Sequence, residues 1–263
     1  VAKEKIKGIP VLMYHALENE SQPAGAKDAG EMRYVLQTGT FQEQMEYLHK
    51  EGYQTFLFNE LQKPENWLGK PVVLTFDDGH ESDFTLALPI LQKYGFRAEF
   101  FITTGWIGTP YFMTEEQIRG LSQSGMGIGA HGVTHRFISD LPDETIQTEL
   151  SDSKATLERI IGQSITAMSY PGGRLNAKTQ KKARNSGYTH ICTSVPQYHK
   201  QTSDIHHINR FAITNTITLQ TFSSMLHVNS IGVLRVRHAL LAGAKAILGN
   251  NFYNRLRTVL LRS

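Results

Sequence analysis

The feature that most constrains this chain is an alternation. Short β-branched and aromatic runs recur along its length with helical patterns between them, the mark of βα units wound around a parallel sheet. Strands are expected at residues 10–15, 53–58, 71–76, 97–103, 126–131, 166–170, 188–194 and 207–213. Helices are expected at 40–51, 83–94, 114–122, 143–161, 176–186 and 219–226. Thr40 and Glu43 have the spacing of a capping box for the first of these, and Gly52 supplies its stop. No glycine-rich phosphate loop follows the first strand, so seven or eight such units predict an α/β fold closed into a deformed (β/α) barrel rather than an open doubly wound sheet. With 263 residues, 40% of them hydrophobic, the chain can bury one large core. The barrel is assigned to residues 1–230, with the polar stretch 18–33 as a loop near its rim.

Residues 231–263 form a second unit, a basic helical extension. Val233, Val236, Leu240, Ala244, Ile247 and Leu248 repeat at helical spacing, Gly249 breaks the pattern, and a second basic helix is expected from Phe252 onward. No acidic residue follows Asp204, whereas seven lysines and arginines do, from Arg210 to Arg262. This end is expected to pack on the barrel or to meet an anionic membrane surface or a partner protein. Nothing calls for nucleic acid. The single cysteine, Cys192, sits in an apolar run and reads as a buried, inert thiol. No apolar run reaches the length of a membrane span. The chain opens at Val1 without a methionine, as it would after removal of a leader.

Chemistry concentrates just after the expected strands, where barrel enzymes place it. Asp77 and Asp78 end an apolar run and precede Gly79. Neighbours in a strand point to opposite faces, so both carboxylates serve one site only if the backbone turns there. His131 and His135 are spaced i and i+4, which on a helical turn directs two imidazoles at one ion. Together with Asp78 they make three protein ligands, the count of a catalytic zinc-type site with a position left for water. Cobalt, nickel, manganese or iron suit the same ligands. Ser169 to Arg174 ends another strand in a tight Pro-Gly turn, read either as an ordinary turn or as one that exposes backbone N–H groups able to face a developing oxyanion.

The order Thr75-Phe76-Asp77-Asp78-Gly79, then His131 to His135, then Tyr170-Pro171-Gly172-Gly173 resembles the polysaccharide deacetylases of carbohydrate esterase family 4, whose deformed barrel is the NodB homology domain. The opening Val11-Leu12-Met13-Tyr14-His15 and the run from Met113 to Ile118 resemble the branch containing bacterial exopolysaccharide and poly-N-acetylglucosamine deacetylases. The resemblance implies metal-dependent hydrolysis of acetamide groups on N-acetylglucosamine-type units of a glycan, in the cell envelope, periplasm or outside the cell. It implies Asp77 as catalytic base, one divalent metal on Asp78, His131 and His135, and an acetyl pocket at Tyr170, Pro171, Gly172 and Gly173, with the Gly172 N–H toward the oxyanion.

Two departures stand out. Ser169 occupies the place where many members carry an arginine that tethers the base; Arg174 or Arg210 is left to supply that charge, and Arg210 is also expected to line the substrate cleft. The late histidine motif is matched loosely by Met225-Leu226-His227, which makes His227 the expected acid, with His15, His206 and His207 as rivals and His15 also lining the cleft. Trp106, Tyr111 and Phe112 suit stacking on sugar faces or core packing. A catalytically silent glycan-binding scaffold and an amidase acting on a non-sugar amide are the competing readings.

Overall fold

The computed structural model describes residues 6, 8–26, 28–61, 67 and 69–227. The expected extension at 231–263, and the domain boundary before it, lie outside the described residues. In chain order the strands are β1 (Val11–Tyr14), β2 (Leu17–Glu18), β3 (Leu36–Gln37), β4 (Tyr53–Thr55), β5 (Lys70–Phe76), β6 (Glu99–Ile102), β7 (Gly127–Ala130), β8 (Ala167–Ser169), β9 (His190–Cys192) and β10 (Phe211–Ala212). The α-helices are α1 (Ala29–Met32), α2 (Thr38–Lys50), α3 (Phe58–Leu61), α4 (Leu88–Lys93), α5 (Glu115–Gln123), α6 (Asp143–Ile161), α7 (Ala177–Asn185) and α8 (Leu219–Met225).

Eight strands form one parallel sheet in the order β10-β1-β5-β6-β7-β8-β9, with β4 paired to the first half of β5. The sheet curls into a deformed (β/α) barrel. Closure comes from the segment before β10: Ile208 bridges Cys192 of β9, and three residues later Phe211 pairs with Leu12 of β1. The strand expected at 207–213 is therefore shared between two neighbours, and only Phe211–Ala212 pairs as β10.

Strand periodicity sorts the side chains into two layers. Leu12, Leu74, Phe100, Ile128, Met168 and Ile191 face the helices in the larger apolar cluster. Val11, Val73, Phe101, Ala167 and Cys192 fill the barrel interior. Each buried aliphatic or aromatic side chain contributes about 1.5–3 kcal/mol, so a one-residue slip of any strand would reverse both layers.

Helix α2 starts at Thr38 with Gln37 as its N-cap and no side-chain cap, which corrects the capping box expected from Thr40 and Glu43: Thr40 is already inside the first turn. The rim stretch 18–33 carries more order than a loop, since β2 pairs with β3 and Asp28 caps α1 through the N–H groups of Gly30 and Glu31.

Candidate active site

The interior parity of β5 runs Val73, Thr75, Asp77, so Asp77 enters the barrel mouth simply by continuing the strand. Ser169 and His131 arrive by the same rule from β8 and β7. Asp78 should then point away. It turns in because its own backbone is left-handed (φ 81°), followed by Gly79 at φ 86°; for a residue with a Cβ this costs about 1 kcal/mol. His135 is also left-handed (φ 59°) and lies in a loop after β7. The two histidines do not ride on a helical turn, as their spacing predicts. The loop itself brings them together, with ring centroids 5.1 Å apart.

One atom each from Asp78, His131 and His135 lies within 4.8 Å of the others. Asp78 Oδ1 is 3.3 Å from His131 Nε2 and 3.1 Å from His135 Nε2, yet it is buried and makes no hydrogen bond. Three donor atoms crowded together without bonding one another suit a shared cation. His131 Nδ1 is 2.8 Å from the carbonyl oxygen of Ser169. A carbonyl only accepts, so Nδ1 carries the proton and Nε2 keeps its lone pair for a metal. Asp78, His131 and His135 are therefore a group that could hold a metal ion.

Asp77, 3% exposed, has a different partner. Arg210, fully buried, donates from Nη1 to Asp77 Oδ1 and from Nη2 to Asp77 Oδ2, both at 2.7 Å. The Ser169 hydroxyl donates to Asp77 Oδ2 at 3.0 Å and accepts from Arg210 Nη2 at 2.7 Å. Arg210 is held in turn by the carbonyl of Thr193 and the hydroxyl of Thr75. Burial pushes the Asp77 carboxyl up, but the Arg210 guanidinium outweighs it and holds the group below the usual carboxylate range. Burial acts the same way on Asp78, and its contacts with His131, His135 and His80 hold it well below that range. Two adjacent carboxylates are thus kept charged, one against an arginine and one against imidazoles.

The matching family is polysaccharide deacetylase, over residues 66–191. The chain carries a polysaccharide deacetylase domain. The YxkH protein of Bacillus subtilis (strain 168), a polysaccharide deacetylase by name, is 29% identical over 233 residues, covering 86% of this chain and 78% of that one. The poly-β-1,6-N-acetyl-D-glucosamine N-deacetylase of Escherichia coli (strain K12) is 29% identical over 138 residues, 44% of this chain but 19% of its own length. Among solved structures, the Streptococcus pyogenes deacetylase PplD in complex with acetate superposes with a TM-score of 0.74 at 27% identity, over 85% of this chain and all of that one (100%). IcaB from Ammonifex degensii shares the fold with a TM-score of 0.68 at 21% identity, over 84% and 98% of the two chains.

Not every expected residue reaches the mouth of the deacetylase. His227 follows α8, and its carbonyl accepts from the hydroxyl of Tyr198. The neighbouring His199 pairs with Ile9, ahead of β1. That is the end of the sheet opposite Asp77, which lies level with the far end of β1 through its N–H bond to Tyr14; the structure does not bring His227 to Asp77. His206 and His207 precede Ile208, which is level with Cys192 below the rim. Arg210 does not line the cleft either, because it is sealed beneath Asp77. Arg174 lies over the Phe137 ring at 3.6 Å and pairs with Asp140, so the charge missing at Ser169 comes from Arg210. Tyr170 is fully buried, its hydroxyl bonded to the Thr179 carbonyl, and only its backbone belongs to the turn. Pro171 is buried while Gly172 is exposed. A Cβ on Gly172 (φ 64°) would meet the Phe137 ring at 2.6 Å, so glycine is required for that turn. Gly173 donates its N–H back to Tyr170.

His15 follows Tyr14, whose carbonyl accepts from the Asp77 N–H, and feels the charges of Asp78 and Asp77; its ring packs on Tyr34 at 4.5 Å and its Nδ1 is buried without a partner. His80 lies 3.5 Å from Asp78 Oδ2, stacked on Phe112. Trp106 packs against His135 at 4.8 Å. One residue escaped the sequence reading. Glu149, buried on α6, accepts from the N–H groups of Val133 (2.6 Å) and Thr134 (3.0 Å) and from the Thr134 hydroxyl, pinning the loop between the two histidines. The available signal was a carboxylate on the apolar stripe of α6, beside Ile146, Leu150 and Leu157.

Proposed function

We propose that this deacetylase removes acetyl groups from N-acetylglucosamine-type units of a polysaccharide outside the cytoplasm, with zinc as the metal. The observation that carries the reading is the meeting of three ligand atoms from β5 and the β7 loop beside a free, arginine-tethered carboxylate. Asp78, His131 and His135 would hold the cation. When bound, it supplies a Lewis acid that polarises the acetamide carbonyl and acidifies the attacking water. Asp77 takes the proton from that water, its carboxylate fixed in direction by Arg210 and Ser169. The exposed Gly172 would offer its N–H to the developing oxyanion. His15 gives a proton to the departing sugar nitrogen. Burial, outweighing the pull of Asp78 and Asp77, lowers its pKa, so the ring rests neutral and the proton it passes to the leaving nitrogen is the one Asp77 has taken from the water.

The relatives named for poly-N-acetylglucosamine and for peptidoglycan N-acetylglucosamine support the sugar class, and the glycans they act on support the location. Among the described residues, no helix is long and apolar enough to cross a membrane. The charge of the segment 231–263 supports contact with an anionic surface, and truncation after Leu226 should weaken sedimentation with anionic vesicles. The central test is acetate release from β-1,6-linked N-acetylglucosamine oligomers. Activity should vanish on chelation and return with added zinc; no acetate with any divalent metal would defeat the proposal.

A further inference from the structure

A second recess opens on the same rim, and none of the proposed metal ligands borders it. It is a cleft of about 370 Å³ between the loop after β1 and the start of α2, with Asn215, from the loop after β10, at its edge. Its polar lining combines one carboxylate, two side-chain amides and a hydroxyl. Glu18 Oε1 takes one bond from Gln37 Nε2 at 2.9 Å, and Oε2 has only a long contact with the Ala24 N–H at 3.4 Å. A carboxylate has room for about four hydrogen bonds. The amide nitrogens of Gln37 and Asn215 each give one N–H, to Glu18 and to the Met32 carbonyl, and both carbonyl oxygens remain for a ligand beside one further N–H on each. Thr40 adds a hydroxyl. Met32, 57% exposed, and Val35 offer apolar surface. Among the described lining residues there is no lysine, arginine or histidine.

A site whose described lining holds an under-used carboxylate and no cation suits a ligand that brings hydrogen-bond donors and positive charge. The surrounding stretch 18–33 agrees, with Glu18, Glu20, Asp28 and Glu31 against Lys27 and Arg33 in a chain of net charge +3. The cleft also adjoins the catalytic mouth. Tyr34, between Met32 and Val35, stacks on His15. Under the function proposed above, each turnover turns a neutral acetamide into a primary amine that is protonated near neutral pH. We infer that this cleft is a subsite for glucosamine units, which holds already deacetylated stretches of the glycan against Glu18 while a neighbouring acetylated unit occupies the metal centre. The enzyme then prefers partly deacetylated chains and clusters its products along them.

The inference rests on the glycan reading, but its test needs no turnover. Zinc-loaded protein is titrated calorimetrically with a glucosamine tetramer, which holds no acetyl group, and with a glucose tetramer of the same linkage. The amine-bearing tetramer should bind more tightly, and less so as salt rises. Glu18→Gln should weaken it about tenfold, the loss of one charge-assisted bond. Because Glu18 also braces its own loop, Met32→Arg provides a second probe, a cation placed at an exposed position on the cleft wall, and should weaken binding at least as much. Equal affinity for the two tetramers, or wild-type binding by Met32→Arg, overturns the inference. So does loss of binding in Asp77→Asn with retention in Glu18→Gln, which would place the amine at the catalytic mouth. Absence of acetate release in the separate activity assay would count against the function and leave these binding outcomes readable.

Discussion

The barrel mouth and the barrel floor both bury titratable groups, and they treat them in opposite ways. At the mouth, Asp77 and Asp78 keep their charge because Arg210 and three histidines face them. On the floor, Glu99 has one backbone donor, the N–H of Phe58 at 2.8 Å, and burial raises its pKa to about 7. Burial lowers His190 and His199 to about 4, and His199 Nδ1 and Trp67 Nε1 have no partner. The floor groups are stable as neutral dipoles; at the mouth the two adjacent carboxylates, Asp77 and Asp78, are held as ions. Desolvation acts at both ends, and the pairing of charge decides which form survives it. Chemistry belongs where ions are maintained.

Four measurements would break or sharpen this contrast. The largest effect is expected at the mouth. Asp77→Asn keeps the shape and removes the proton acceptor, so kcat should fall about 10³-fold or more, measured as acetate release with unchanged zinc content. Arg210→Met should cost about 3–5 kcal/mol of stability by leaving Asp77 buried and unpaired. Urea unfolding at neutral pH reads this directly, and a loss below 1 kcal/mol would show that water substitutes for the guanidinium.

The floor should respond with the opposite sign. Glu99 is neutral in both states below the ordinary glutamate range, so no penalty exists there. As pH rises through about 7 the unfolded chain has already released a proton that the folded state still holds, and stability falls. Glu99→Gln should therefore match the parent at pH 4 and exceed it at pH 8 by about 3 kcal/mol at most; a parallel pair of stability curves would remove the floor from the comparison. The smallest effect is expected one layer behind the metal ligands. Glu149→Ala frees the loop between His131 and His135 and should weaken zinc binding about 10- to 100-fold, read by competition with a chromophoric chelator, with a smaller change in the unfolding midpoint.

Much of the barrel was legible in the residues because local rules govern it. The helix expected at 143–161 is α6 residue for residue, since a long amphipathic stripe ending at Gly162 admits few alternatives. The strand end at Phe76 follows from an apolar run that stops at Asp77, and the ends expected at His131 and Tyr170 lie one residue past those observed at Ala130 and Ser169. Asp77, Asp78, His131 and His135 were named from such strand ends, and they do converge. The reading failed where a partner had to be known. His227 matched a motif by spacing, but α8 runs back down the barrel and carries it to the wrong end. Arg210, open between supplying the charge absent at Ser169 and lining the cleft, does the first, because it is buried against Asp77.

By itself, then, the sequence determined the alternation, the two-layer periodicity of each strand and the places where polar side chains leave the sheet, because each depends on neighbours within a few residues. Only the tertiary structure decided that Asp78 turns inward on a left-handed backbone, that Glu149 pins the histidine loop, and that Arg210 reaches Asp77 across 133 positions of chain. Those choices arise from desolvation and pairing among groups that meet only once the barrel has closed, and no local spacing rule contains them.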